Sequence, residues 1–411
     1  MRVVLSGIVV AGVAMVLASA CSTSDGESGA GGNPGGDSGS SIDSSLDAGG
    51  GLDTGTGQDS DGFDPDAGCV GETVQAQLLR SNLLVVLDRS GSMNCNAPPT
   101  QSYEQCHKDP NPIDPAKPTK LDVTRDALLD AIQALEASRP LPSVGMLLFS
   151  SDGKCGVPAQ PNVPVAPLSG NPAADKQLQA IQQVLGSAVA KGSTPMIAAL
   201  ESAWTAMRQQ AAALEGNRFV VLLTDGAEMC QKQAKASAVQ HAAEAAKEGI
   251  RTFVLGVPGS EPERAFLSQL AFNGGTPSAP NCNHASAPAD VGNCHMDMTL
   301  PSMDFPSELK KNLAAISGQA IACSLKIPAP PNGSELDYNL VNVVYASGQG
   351  VKRTLPRDDS KACSDPSNQG WQYADNNTRI ELCAGACSTV RADESATVSI
   401  VLGCRTNEVP K

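Results

Sequence analysis

Asp88, Ser90 and Ser92 lie in one short stretch, Asp88-Arg89-Ser90-Gly91-Ser92-Met93. A carboxylate and two hydroxyls in a single tight loop offer oxygen ligands of the kind a hard divalent cation takes. The preceding run, Leu83-Leu84-Val85-Val86-Leu87, is aliphatic without alternation. That is how a strand buried on both faces of a parallel sheet reads. In open α/β sheets, ligands bind beyond the C-terminal ends of such strands. The loop alone is a weak signal, because acids and serines also cap helices and turns.

The Asp-x-Ser-x-Ser pattern after an apolar strand resembles the von Willebrand factor type A family and its metal-ion-dependent adhesion site. The resemblance implies two further residues from elsewhere: a Thr in a Gly-Ser-Thr-Pro-like loop, and an Asp-Gly closing another apolar strand. Thr194 stands in Gly192-Ser193-Thr194-Pro195, and Asp225 lies between Phe219-Val220-Val221-Leu222-Leu223-Thr224 and Gly226. All five positions occur in the family's order. The resemblance further implies direct ligation by Ser90, Ser92 and Thr194, with Asp88 and Asp225 acting partly through water. The ion then keeps net positive character and an open position for a partner's carboxylate. Mg²⁺ is the first expectation and Mn²⁺ or Ca²⁺ the alternatives. The competing account makes Ser90 and Thr194 helix caps and the two acids acceptors of loop N–H groups. It explains each residue singly, but not five in this order.

The elements that must position these residues alternate. Strands are expected at 83–87, Ser143–Phe149, Val163–Val165 (an edge, because of Pro164), Phe219–Thr224 and Ile250–Val257, with a poor sixth around 295–299. Helical stripes run over Lys120–Ser138, over Asp175–Ala190 with Leu178, Ile181, Leu185 and Val189 in register, and through Ile197, Leu200, Trp204 and Met207. Further helices are expected at Lys232–Glu248, Glu261–Phe272 and Ser307–Ile316. This is the α/β class: a doubly wound, mainly parallel, Rossmann-like sheet over residues 78–320. Asn94–Pro118, rich in Pro, is an insertion beside the metal loop and is expected to roof it. Residues 321–404 change texture to short β-like segments between Gly, Pro, Asp and Asn, a small β-rich appendage stapled by disulfides.

The start of the chain sets the compartment. Arg2, an apolar stretch from Val3 to Ala20, and Leu17-Ala18-Ser19-Ala20-Cys21 form an export signal over residues 1–21. The small residues before Cys21 resemble a bacterial lipobox, which implies a lipid thioether on Cys21 and a lipoprotein of the cell envelope, in the outer membrane first. An uncleaved membrane anchor and an ordinary secretory signal are the alternatives. Residues 22–68 hold ten acids and no Lys or Arg among Gly and Ser, the composition of a disordered, self-repelling tether. Its acid-dense end, Asp59–Asp66, lacks the spacing of a calcium loop. Most of the formal charge of −14 therefore sits in the tether, and no basic face for nucleic acid is left.

Thirteen cysteines less Cys21 leave an even twelve, which in an exported chain argues for disulfides. Cys95–Cys106 and Cys282–Cys294 are the nearest pairs, with Cys387–Cys404 a third; Cys282, His284, Cys294 and His295 also read as a zinc cluster. No phosphate-binding Gly-rich loop follows the first strand, and no Gly-x-Ser-x-Gly elbow or other catalytic constellation occurs. The expectation is a non-enzymatic, envelope-anchored module that grips a protein or matrix partner through a metal. The alternative is an assembly subunit whose metal is structural and whose 321–404 appendage makes the contacts.

Overall fold

A computed structural model of the chain describes residues 72–409, apart from 77–78, 139, 280, 301–302, 321–322, 329–334, 375 and 394–395. The export signal, Cys21 and the tether fall outside the described residues. In chain order the elements are β1 (Glu72–Gln75), β2 (Asn82–Asp88), α1 (Tyr103–Lys108), α2 (Lys120–Ala134), β3 (Ser143–Phe149), β4 (Val163–Pro167), α3 (Lys176–Gly186), α4 (Met196–Gln209), β5 (Arg218–Thr224), α5 (Lys235–Lys247), β6 (Ile250–Gly256), α6 (Arg264–Asn273), β7 (Met296–Asp297), α7 (Phe305–Ala320), β8 (Ser324–Lys326), β9 (Val341–Ala346), β10 (Lys352–Leu355), β11 (Trp371–Ala374), β12 (Arg379–Leu382), α8 (Ala384–Arg391) and β13 (Thr397–Leu402).

The aliphatic run of β2 has no alternation because both its faces are covered. Leu83, Val85 and Leu87 face the core under α2, α3 and α7. Leu84 and Val86 face the core under α4, α5 and α6. The sheet order is β4-β3-β2-β5-β6-β7. β2 pairs in parallel with β3 and β5, β6 continues in parallel, and β4 is the antiparallel edge. The chain winds outward from β2 in both directions, so the switch in strand order lies at β2, and in open α/β sheets ligands bind beyond the strands' C-terminal ends at that point.

Two expectations shift. α3 ends at Gly186, so Val189 lies past the helix and is exposed. The poor sixth strand shrinks to Met296–Asp297. Ile197, Leu200, Trp204 and Met207 are buried core, as their helical spacing predicts, and Met196 joins them.

The C-terminal residues build two antiparallel sheets, β1-β13-β9-β10 and β11-β12-β8, around Leu325, Val343, Trp371, Ile380 and Ile400. β1 precedes the α/β domain in sequence yet pairs with β13, Glu72 opposite Leu402. The α/β domain is thus inserted between the first strand of the β domain and the rest. The two meet at the N-terminal ends of the parallel strands: Leu79 N donates to Ser324 O (2.8 Å), Arg251 pairs with Glu381 (3.1 Å), and Arg379 Nη1 donates to Asn217 Oδ1 (3.1 Å). Among the described residues, no helix is long and apolar enough to cross a membrane.

Disulfides join Cys95–Cys106, Cys155–Cys230, Cys282–Cys294, Cys323–Cys387 and Cys363–Cys383. Cys387 therefore does not pair with Cys404, which is itself disulfide-bonded: α8 turns Cys387 inward to Cys323, beside β8. The zinc reading also falls. Cys282 and Cys294 share a bond and are not thiolates, and His284 stacks on Phe272 with ring centroids 3.6 Å apart.

His295 points the other way, into the core. Its Nδ1 lies 2.8 Å from Ser268 Oγ, and burial pushes its pKa down to about 4. A depressed histidine pKa means that the unfolded chain takes up a proton the folded one refuses. The protein is expected to lose roughly 3 kcal/mol as pH falls from about 6.5 toward 4, and none of this above that window. Denaturant midpoints at neutral and mildly acidic pH, compared between the parent and His295→Gln, check this: the variant's midpoint should move less.

Candidate metal centre

Asp88 ends β2, and Asp225 follows β5, the neighbouring parallel strand. Adjacent strands thus deliver two carboxylates to the same end of one sheet. Both are buried. Asp88 Oδ1 accepts from Ser90 N (2.8 Å) and Oδ2 from Thr224 Oγ1 (2.6 Å). Asp225 Oδ1 accepts from Ser92 Oγ (2.8 Å), and Ser92 Oγ lies 3.2 Å from Ser90 Oγ. Burial, and next the charge of Asp225, push the Asp88 carboxyl up to about 7. The pair is short of positive charge.

Thr194 arrives on a third loop, which backbone bonds stitch to the first: Gly91 N donates to Gly192 O (3.0 Å) and Lys191 N to Arg89 O (2.8 Å). Gly192 makes this possible. Its φ is +83°, and a Cβ there would stand 2.5 Å from the backbone of Gly153. On the open side, a Cβ on Gly226 would stand 3.3 Å from Thr194 Oγ1 and 3.7 Å from Ser92 Oγ. The residue after Asp225 is a glycine where any side chain would crowd the space these hydroxyls face.

All five residues read from the sequence therefore converge. Three neutral hydroxyls and two buried carboxylates make an all-oxygen donor set of the kind Mg²⁺ or Mn²⁺ accepts, and the residues present fit such an ion. The hydroxyl oxygens of Ser90, Ser92 and Thr194 keep lone pairs for a cation even where, as at Ser92, the hydrogen is donated to Asp225, while both carboxylates accept hydrogen bonds.

Two neighbours escape a sequence reading. Glu228, just past Asp225, reads either as an acid that tunes the site or as a solvated loop acid; it is fully buried and accepts from Ile197 N (2.7 Å), Cys230 N (2.6 Å) and Gln231 N (2.7 Å). Pro195 at the start of α4 has no side chain able to cap, and Glu228 takes that role. Lys120 enters the sequence reading only as the first residue of the helix that becomes α2. Its ammonium is buried against Asp225 Oδ2 and donates to Pro258 O (2.9 Å).

The Asn94–Pro118 insertion accounts for that placement. It forms α1, closes on itself through Cys95–Cys106, and ties Cys95 O to Lys120 N (2.8 Å), with Asn96 bridged to Thr119. It therefore buttresses the start of α2 as well as flanking the metal loop. On the other flank, Cys155–Cys230 links the loop after β3 to the loop after Asp225.

The von Willebrand factor type A domain model matches residues 82–290. No curated protein matches the chain. Among solved structures, it is similar to an aerotolerance-related membrane protein from Bacteroides fragilis (16% identity, 58% of this chain and 98% of that one, TM-score 0.35). It is also similar to the pilus adhesin SpaC from Lactobacillus rhamnosus GG (13%, 80% and 39%, TM-score 0.41). A third is the SpRpn10 VWA domain (10%, 57% and 95%, TM-score 0.36). With a family match over half of its length, centred on the sheet that carries the five oxygen donors, the chain belongs to the von Willebrand factor type A domain family.

Proposed function

We propose that this chain is an exported, lipid-anchored envelope protein that binds a protein partner through a divalent cation, Mg²⁺ first, held by Asp88, Ser90, Ser92, Thr194 and Asp225. The convergence of three neutral hydroxyls with two buried acids at the sheet's open C-terminal end carries this reading. Neutral direct ligands leave the ion electrophilic, and a carboxylate on the partner is its natural complement. The groups that meet here are ligands and caps, so the reading is a binding module and not an enzyme.

The test is affinity capture from the native envelope with the full-length chain, in Mg²⁺ or in EDTA, alongside Asp88→Ala. A partner retained in Mg²⁺ and released by EDTA and by Asp88→Ala is the expected result. Capture indifferent to both would move the contact to the β domain and make the metal structural.

A further inference from the structure

Lys120 is built into this centre. Its side chain is 4% exposed, and its ammonium has two partners, Asp225 Oδ2 and Pro258 O. The helix start that carries it is fixed by a capping box, in which Thr119 Oγ1 accepts from Asp122 N and Asp122 accepts from Thr119 N. The loop that closes over it needs a glycine: Gly259 has φ +116°, and a Cβ there would stand 3.0 Å from Lys120 Nζ and 2.5 Å from Asp225 O. A long, flexible side chain is held at one point by packing, by a helix start and by two acceptors.

Its position divides the donor set. Ser92 occupies one oxygen of Asp225 and Lys120 the other, so direct ligation by Asp225 would compete with the ammonium. The acids nearby do not cancel that ammonium. Glu228 turns its oxygens to three backbone N–H groups and not to Lys120, whose partners are Asp225 and Pro258 O. Glu261 is half-buried near Lys120, and burial raises its carboxyl above the usual range. With a divalent cation in place to ionise both acids, the ion, the carboxylates of Asp88 and Asp225 and the ammonium of Lys120 together carry one net positive charge.

We infer that Lys120 is the fixed counter-charge of the metal centre: it holds Asp225 out of direct ligation and leaves the loaded centre one positive charge in excess, the charge that a single partner carboxylate neutralises. The inference rests on the metal reading above and adds what that reading lacks, a residue that sets how tightly the ion is held and what it demands. Lys120 weakens the site's grip on the cation by like-charge repulsion and strengthens its grip on a carboxylate. With a neutral residue at 120, the loaded centre would be neutral and would hold its metal firmly with little call for an anion.

The full-length parent is compared with Lys120→Gln, Lys120→Met and Lys120→Arg, each checked for folding by circular dichroism. Mn²⁺ alone is titrated by calorimetry, and acetate is then titrated into each Mn²⁺-saturated protein and followed by the broadening of its methyl resonance. Lys120→Gln and Lys120→Met should bind Mn²⁺ at least about tenfold tighter and acetate at least about tenfold weaker, while Lys120→Arg stays within about threefold of the parent. Lys120→Gln keeps a hydrogen-bonding group beside Asp225 and carries the test if Lys120→Met does not fold; a Gln variant that folds only with Mn²⁺ counts for the inference. Mn²⁺ affinity unchanged or weakened in Lys120→Gln overturns it. Asp88→Ala separates the two failures: if it binds Mn²⁺ like the parent, the metal reading is wrong, and if it loses Mn²⁺ while Lys120→Gln is unchanged, only the role of Lys120 is.

Discussion

Asp88→Asn will lose at least about 100-fold in Mn²⁺ affinity while melting, without metal, at or above the temperature of the parent. Removal even of groups that only orient metal ligands costs 10–100-fold, and Asp88 supplies half of the centre's negative charge. The second half of the result follows from burial. Asp88 is fully buried beside Asp225, and the centre's one ammonium is on Asp225. Asn keeps an oxygen for Ser90 N and a polar group for Thr224 Oγ1, the two bonds Asp88 makes. Removing one of two like charges should then stabilise the metal-free fold by about 1–3 kcal/mol. Calorimetric titration and thermal melts with and without Mn²⁺ check both halves, and the parent's melting temperature alone should rise with the ion. A variant that melts well below the parent would show that Asp88 serves the fold first.

The Cys155→Ser/Cys230→Ser double variant should lose more stability than Cys95→Ser/Cys106→Ser. The first bridge spans 75 residues and the second 11; closing loops of those sizes is worth about 4 and about 3 kcal/mol in the chain-entropy account. The larger loss should also reach the metal. The loop bearing Cys155 supports the Thr194 loop through Ser193 N to Lys154 O (3.1 Å), and Cys230 lies just past Asp225. Cutting the bridge frees two ligand loops from each other, for an expected loss of about tenfold in Mn²⁺ affinity. Denaturant titration gives the stabilities. Equal losses in the two variants would mean that loop length is not what the longer bridge contributes.

Much of the α/β domain is legible because its causes are local. A continuous aliphatic run means a strand covered on both faces, and β2, β3 and β5 have that pattern. Pro164 removes a backbone donor and so marks β4 as an edge, and it is one. Val189 fails because helical periodicity persists in sequence after the helix has stopped at Gly186, and nothing in the stripe itself announces the end. The five oxygen donors are legible since each closes or follows a recognisable element, and a parallel sheet brings strand C-termini together whatever the loops contain.

By itself, then, the sequence carried the doubly wound sheet, picked out Asp88, Ser90, Ser92, Thr194 and Asp225, and offered Cys95–Cys106 and Cys282–Cys294 as the nearest pairs, which the structure joins. Tertiary structure decided the rest. Cys155 finds Cys230, Cys387 finds Cys323 instead of Cys404, and β1 finds β13 from the far end of the chain. Such pairings depend on which distant segments the completed sheets bring side by side, and no local pattern encodes that. The same holds for Lys120 and Glu228. A lysine at a helix start and an acid in a loop look solvated until the neighbouring loops close over them, and only then does one become the counter-charge beside Asp225 and the other the cap of α4.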